Sequence, residues 1–262
     1  MVASVRPKVL VDALIPGIGA DTRVNRFAID ATLVVGFALL LAVCAQIAIK
    51  IPTTTVPITG QTFGVLLAGG ALGSRRGGLS MLVYMLMGMA GLSVFAPSPS
   101  PLGDQQVLHF ILPWSGGEGL VWAMSSGGYI VGFVLAAYVV GLLAERGWDR
   151  RSTVPVAMLI GSILIYAVGL PWLGIHIANN DGLRAYFEGI YPGAGVVQMT
   201  LKGGLYPFIG GDALKLLAAA LALPGAWALV DWFIGRSRTR MERRPPRSGR
   251  RPSIRKGRPP RN

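Results

Sequence analysis

One cysteine, Cys44, and two histidines, His109 and His176, are all that the 262 residues offer for thiol chemistry, soft-metal ligation or imidazole catalysis. A lone cysteine excludes an intrachain disulfide and leaves the redox compartment open. The three residues are scattered and form no metal-ligand spacing. No phosphate-cradling loop, dinucleotide fingerprint or catalytic-triad spacing occurs, so no cofactor is expected and any ATP-driven work needs another subunit. Charge is scarce as well: Asp, Glu, Lys and Arg make up 14% of the chain, against 52% hydrophobic residues. That balance excludes a soluble enzyme with a large core and indicates a membrane protein. Leu41-Ala-Val-Cys44 has a faint likeness to a lipidation site, but it lies deep in an apolar run and has Val before Cys, so it reads as packing.

Acidic residues are the rarer sign, 12 against 25 Lys and Arg. The imbalance is local. Residues 236–262 hold twelve Arg and Lys and one acid, Glu242, which leaves 13 basic and 11 acidic residues in the rest. The tail is rich in Arg, Pro, Ser and Gly, so it is expected to be disordered. A polybasic stretch just inside a membrane is drawn to anionic lipid, by about 1 kcal/mol per residue near the surface. Nucleic-acid binding is not expected, because the basic residues lack interleaved aromatics.

What is present is a series of apolar runs. Spans are expected at 27–51, 63–73, 79–95, 127–144, 154–174 and 207–224, the second of them short for a bilayer. Pro52 stops the first, and Ala38 and Ala42 form a small-xxx-small pair on it, which lets another helix approach closely, whether from this chain or a partner. Met81, Met85, Met87 and Met89 in the third read as pliable packing rather than a cofactor box. Between the spans lie a Thr- and Pro-rich stretch at 51–62, a long Pro/Ser/Gly segment at 96–126 carrying Trp114 and Trp122, a charged turn at 145–151 and a polar connection at 175–202. Residues 227–234 are expected at or just beneath the membrane surface. Arg75 and Arg76, then Arg146, Arg150 and Arg151, then the tail mark one side as cytoplasmic. The chain therefore reads as an all-α membrane protein with six transmembrane helices and both termini cytoplasmic. Its parts are an N-terminal lead-in at 1–26, a membrane domain at 27–235 and the tail at 236–262.

The stretch Phe208-Ile-Gly-Gly-Asp-Ala-Leu-Lys215 stands out against this background. Asp212 and Lys215 are three apart, so on a helix they share a face. Charges at membrane depth cost about 2.5 to 3.5 kcal/mol each on insertion scales and normally face a partner or a cavity. The preceding Gly-Gly pair suits a helix start, where the dipole favours a carboxylate. The pair is either a packing ion pair or the polar floor of a ligand pocket.

Six stretches together resemble one family. They are Ala42-Val-Cys-Ala-Gln-Ile47, Val56-Pro-Ile-Thr-Gly-Gln-Thr62, Leu66-Leu-Ala-Gly-Gly-Ala-Leu-Gly73, Gly91-Leu-Ser-Val-Phe95, Gly127-Gly-Tyr-Ile-Val-Gly-Phe133 and Gly210-Gly-Asp-Ala-Leu-Lys215. The chain resembles BioY, the biotin-specific membrane subunit of energy-coupling-factor (ECF) vitamin transporters, over residues 30–224. The resemblance implies an S-component-like bundle of six helices in the bacterial cytoplasmic membrane, with its vitamin pocket near the outer face. It implies biotin uptake together with a transmembrane coupling protein and ATPase subunits. It places Asp212 and Lys215 on biotin and Ala38 and Ala42 on the coupling protein. Gln61, Thr62, Tyr84, Ser125, Gly128 and Tyr129 are further candidate lining residues. Two departures are visible: Ser125-Ser126 replace an expected Pro-Thr, and the segment after residue 95 is long and proline-rich. The alternatives are the same fold serving another small vitamin, a permease acting without ATPases, or a membrane-embedded lipid-modifying enzyme. The last would want clustered acids or a catalytic His, whereas the spans offer only Asp212 and Asp30.

Overall fold

A computed structural model describes residues 9–14, 23–97, 108–150 and 152–242. Helices form at all six of the apolar runs: α2 (Arg23–Gln46), α3 (Gln61–Leu72), α4 (Ser74–Met89), α5 (Gly127–Leu143), α6 (Val154–Asn179) and α9 (Ile209–Glu242). A short α1 (Leu10–Leu14) precedes them, and α7 (Asp181–Ile190) and α8 (Val196–Gly204) lie between α6 and α9. Four stretches are long and apolar enough to cross a membrane: Asn25–Gln46, Gly127–Trp148, Val154–Asn179 and Ile209–Val230. The 12 residues of α3 and the 16 of α4 rise only about 18 and 24 Å, short of the roughly 30 Å of a bilayer core. The chain is a mostly helical, multi-pass membrane protein.

Packing follows from where small residues lie. α5 is the hub and touches α3, α4 and α6, while α2 packs on α3 and α4, and α9 on α3 and α6. Gly73 turns the chain between α3 and α4 with φ 84°, a conformation a side chain would strain. Gly141 of α5 lies against that corner so closely that a Cβ there would sit 2.3 Å from Gly73 C and Ser74 N. Leu79, Leu86, Leu135, Leu159 and Leu217 point outward, as suits helices facing hydrocarbon.

Three features differ from the sequence reading. The 175–202 connection is helical: α6 runs through Pro171 to Asn179, and α7 and α8 follow, α7 capped by the Asn180 carboxamide oxygen accepting from Leu183 N–H at 2.9 Å. Next, α9 does not stop at Pro224. The proline removes one bond to the Ala220 carbonyl, but the helix continues because Leu223, Trp227 and Val230 are buried with Leu10, Val154 and Met158. Trp227 also donates to the buried Asp149 at 2.7 Å, and the Arg150 guanidinium stacks 3.7 Å from the Trp227 ring centre. Finally, α2 begins at Arg23 and α9 reaches Glu242, so both helices extend beyond the expected limits of the membrane domain. Most of the basic tail, 243–262, lies outside the described residues, as do 1–8 of the lead-in.

The charged turn after α5 has a structural use. Glu145 Oε1 accepts from both Ser74 N–H at 2.8 Å and Ser74 Oγ at 2.7 Å, which caps α4 from another part of the chain. Glu145→Ala is expected to lower stability by about 1 to 2 kcal/mol, seen as a lower melting temperature in detergent, with ligand affinity unchanged.

Candidate functional site

The N-terminal end of α9 starts from a tight turn, with Asp212 N–H bonded to the Phe208 carbonyl at 2.7 Å. Asp212 therefore sits in the first turn, where the positive end of the helix dipole favours its charge. Lys215 folds back one turn and bonds Asp212 Oδ1 through Nζ at 2.7 Å. The second carboxylate oxygen accepts a hydrogen bond from the Tyr166 hydroxyl of α6. Asp212 is only 8% exposed, yet both its oxygens have donors. Tyr166 is steadied in turn by Tyr129 of α5, whose ring meets it edge-on at 6.1 Å and whose hydroxyl donates to the Gly204 carbonyl at 2.9 Å.

These groups face a cavity of about 660 Å³, counting the open solvent at its mouth. Its walls are Ile130 and Phe133 of α5, Ile165 of α6 and Phe208, and its roof is Val56, Pro57, Phe95 and Ala96. A small antiparallel sheet underlies the roof: β1 (Ala48–Ile49) is flanked by β2 (Ile58–Thr59) and β3 (Leu108–His109). The 51–57 loop is fastened from the far side. Thr54 Oγ1 donates to the Gly203 carbonyl at 2.5 Å, and the hydroxyls of Tyr186 and Tyr191 donate to the Pro52 and Thr53 carbonyls at 2.8 and 3.1 Å. Thus α7 and α8, unforeseen from sequence, hold the roof in place.

Of the residues singled out by sequence, Asp212, Lys215, Gln61, Thr62 and Tyr129 all line this cavity. Tyr84, Ser125 and Gly128 do not. Tyr84 stands behind Gln61, accepting from Gln61 Nε2 at 2.8 Å and donating to the Val94 carbonyl at 3.1 Å. Ser125 Oγ is 3.3 Å from Thr55 Oγ1 in the loop, and it is the adjacent Ser126 that lines the cavity. Gly128 faces α6, where a Cβ would come within 2.3 Å of Trp172 Cβ. Ala38 and Ala42 are 0% and 2% exposed, in a core cluster with Leu41, Val65, Ala68 and Met81. Their small size lets α2 lie close to this chain's own helices. Tyr166, Thr59 and Met124 line the cavity without having been singled out. Tyr166 had a signal: a tyrosine hydroxyl in the middle of an apolar run needs a partner. No group of three or more His, Cys, Asp or Glu suited to a metal exists among the described residues.

Comparison with known proteins bears on what this cavity is. A family model described as the BioY family matches residues 20–105 and 107–232. The chain belongs to the BioY family. The match contains every lining residue of the cavity and leaves out the tail. Among relatives, the biotin transporter BioY of Thermotoga maritima is 32% identical over 189 residues, 71% of this chain and 88% of that protein. The biotin transporter BioY of Rhodobacter capsulatus is 33% identical over 171 residues, 63% and 76% of the two chains. The probable biotin transporter BioY of Pyrococcus horikoshii is 34% identical over 163 residues, 62% and 83% of the two. The crystal structure of the S-component for biotin from an ECF-type ABC transporter superposes with a TM-score of 0.57 over 78% of this chain and 93% of that one, at 19% identity. That likeness shows that this BioY-family chain has the S-component fold.

Proposed function

We propose that this protein binds biotin at the Asp212–Lys215 end of the cavity and serves its uptake as the substrate-specific subunit of an ECF transporter. It is a transporter subunit and not an enzyme. One observation carries the reading: a carboxylate and an ammonium, both held by partners, stand at one end of a cavity walled by Val56, Phe95, Ile130, Phe133 and Ile165 and edged by uncharged polar side chains. Biotin supplies apolar ring surface for such walls and N–H and C=O groups for such a floor. Gln61, Thr62 and Tyr129 complete the contacts, while Tyr84, Ser125 and Gly128 support the lining from behind. The membrane is the bacterial cytoplasmic membrane, spanned six times once the short α3 and α4 are counted inside the bundle. Both termini lie in the cytoplasm, and the cavity opens outward. The basic tail rests on anionic lipid. Partner subunits, a transmembrane coupling protein and ATPases, supply the energy.

Titration calorimetry of the purified protein with biotin, and with thiamine and riboflavin as controls, tests this reading. Heat from biotin alone is expected, and binding of either control in place of biotin would refute it. The coupling-protein contact is tested separately. Ala38 and Ala42 shape α2 from beneath, whereas Val35, Gly36, Leu39 and Leu40 form its outward face. A Cβ at Gly36 would meet nothing within 4 Å. Gly36→Trp is therefore expected to abolish co-purification with the coupling protein while biotin affinity stays unchanged; Ala38→Trp would instead disrupt the core.

A further inference from the structure

We infer that the cavity recognises the cyclic urea of its ligand and does not read the acid as a charge, so that esters and amides of biotin are ligands as well. The inference rests on the biotin reading above and goes beyond it to the class of compounds accepted.

Asp212 and Lys215 are the charged members of the lining, and they are opposite in sign and bonded at 2.7 Å. Among the described residues the lining is therefore formally neutral. Each partner still has capacity to spare. An ammonium has three N–H donors, and each carboxylate oxygen keeps a second lone pair after accepting from Lys215 or Tyr166. What meets the ligand is thus an acceptor beside a donor, on one turn of α9. A cyclic urea presents the complement, an N–H beside a C=O, and carries no charge. A carboxylate placed there would be a second negative group next to Asp212, in a site largely closed to water. Lys215 could give it a second N–H, but one ammonium would then be shared between two carboxylates and the floor would carry net negative charge.

Among the described lining residues Lys215 is the one cation, and Thr59, Gln61, Thr62, Ser126 and Tyr129 add uncharged polar groups. Val56, Pro57, Phe95, Ala96 and Met124 are apolar, and the loop that carries Phe95 is bonded to an acid, with Ser93 Oγ donating to Glu118 at 2.8 Å. With the urea at the floor, the valeryl chain runs along these apolar groups towards the mouth, where its acid stays hydrated. Replacing that acid by an ester or amide then breaks no ion pair with the protein.

Calorimetric titration of the full-length protein with biotin, biotin methyl ester, biotinamide and 2-iminobiotin tests this. The ester and amide are expected to bind within about threefold of biotin, and protonated 2-iminobiotin, which sets a cation where the carbonyl was, more than tenfold worse. An ester or amide weaker than biotin by tenfold or more overturns the inference while leaving the biotin reading standing. Absence of binding by biotin and its derivatives alike overturns both. Lys215→Gln supplies an independent measurement. It should weaken biotin and its methyl ester by the same factor, whereas a loss for biotin tenfold greater than for the ester would place the acid on Lys215.

Discussion

Asp212→Asn is expected to weaken biotin binding at least tenfold, about 1.5 kcal/mol, with the protein still folded. Asparagine keeps the size of the side chain and can still accept from Tyr166, so the helix start is preserved. The charge is lost, and Lys215, largely buried and 2.7 Å away, is left as an ammonium without its counter-ion. The acceptor offered to a ligand N–H also weakens, since hydrogen bonds to ionised groups are roughly twice as strong as neutral ones. Calorimetry measures the affinity and a melting curve in detergent reports the fold. An affinity equal to that of the unaltered protein, in a variant that melts normally, would remove Asp212 from the binding site.

The second large effect concerns the fold. Gly141→Ala adds one methyl group, and there is backbone on the other side: Gly73 C and Ser74 N at 2.3 Å and Ser74 Cα at 2.5 Å. Backbone cannot swing aside as a flexible side chain can, so α5 must move off the α3–α4 corner and carry Glu145 away from its cap on α4. A loss of about 3 kcal/mol or more is expected, at the high end for overpacking. Gly225→Ala is the control, because a Cβ there meets nothing within 4 Å. On α9 it should be neutral or stabilising by up to about 1 kcal/mol. Equal melting temperatures for the two variants would contradict the close approach seen at Gly141.

The polar end of the cavity was legible from sequence because ionised groups are conspicuous in an apolar run, and the three-residue spacing of Asp212 and Lys215 fixes their relative direction once a helix is granted. Helix positions were legible from the apolar runs themselves. Which face of a helix meets the cavity was not. Tyr84 and Tyr129 are both tyrosines in apolar segments, yet one stands behind Gln61 and the other lines the cavity. Only the rotation of α4 and α5 in the bundle separates them. Gly128 stood next to a lining residue and was itself consumed by contact with Trp172. The helices α7 and α8 were missed because their few apolar residues are spaced by polar ones, a pattern that reads as a connection until Phe187 and Met199 are seen buried. At Pro224 the sequence signal for a helix end was genuine, but burial of Trp227 outweighed one lost backbone bond.

Trp227 has one more consequence. It ties α9 to Asp149, which lies just before α6, while Asp212 ties the same helix to Tyr166 within α6. The two moorings are 15 residues apart, 227 minus 212, or about 22 Å along the axis. A rod pinned at both ends cannot tilt at one without straining the other, and Pro224 lies between them as the place where bending is easiest. Any displacement that an arriving molecule imposes on the carboxylate at one end is therefore divided between flexure at that proline and tension on the indole at the opposite pole of the bundle.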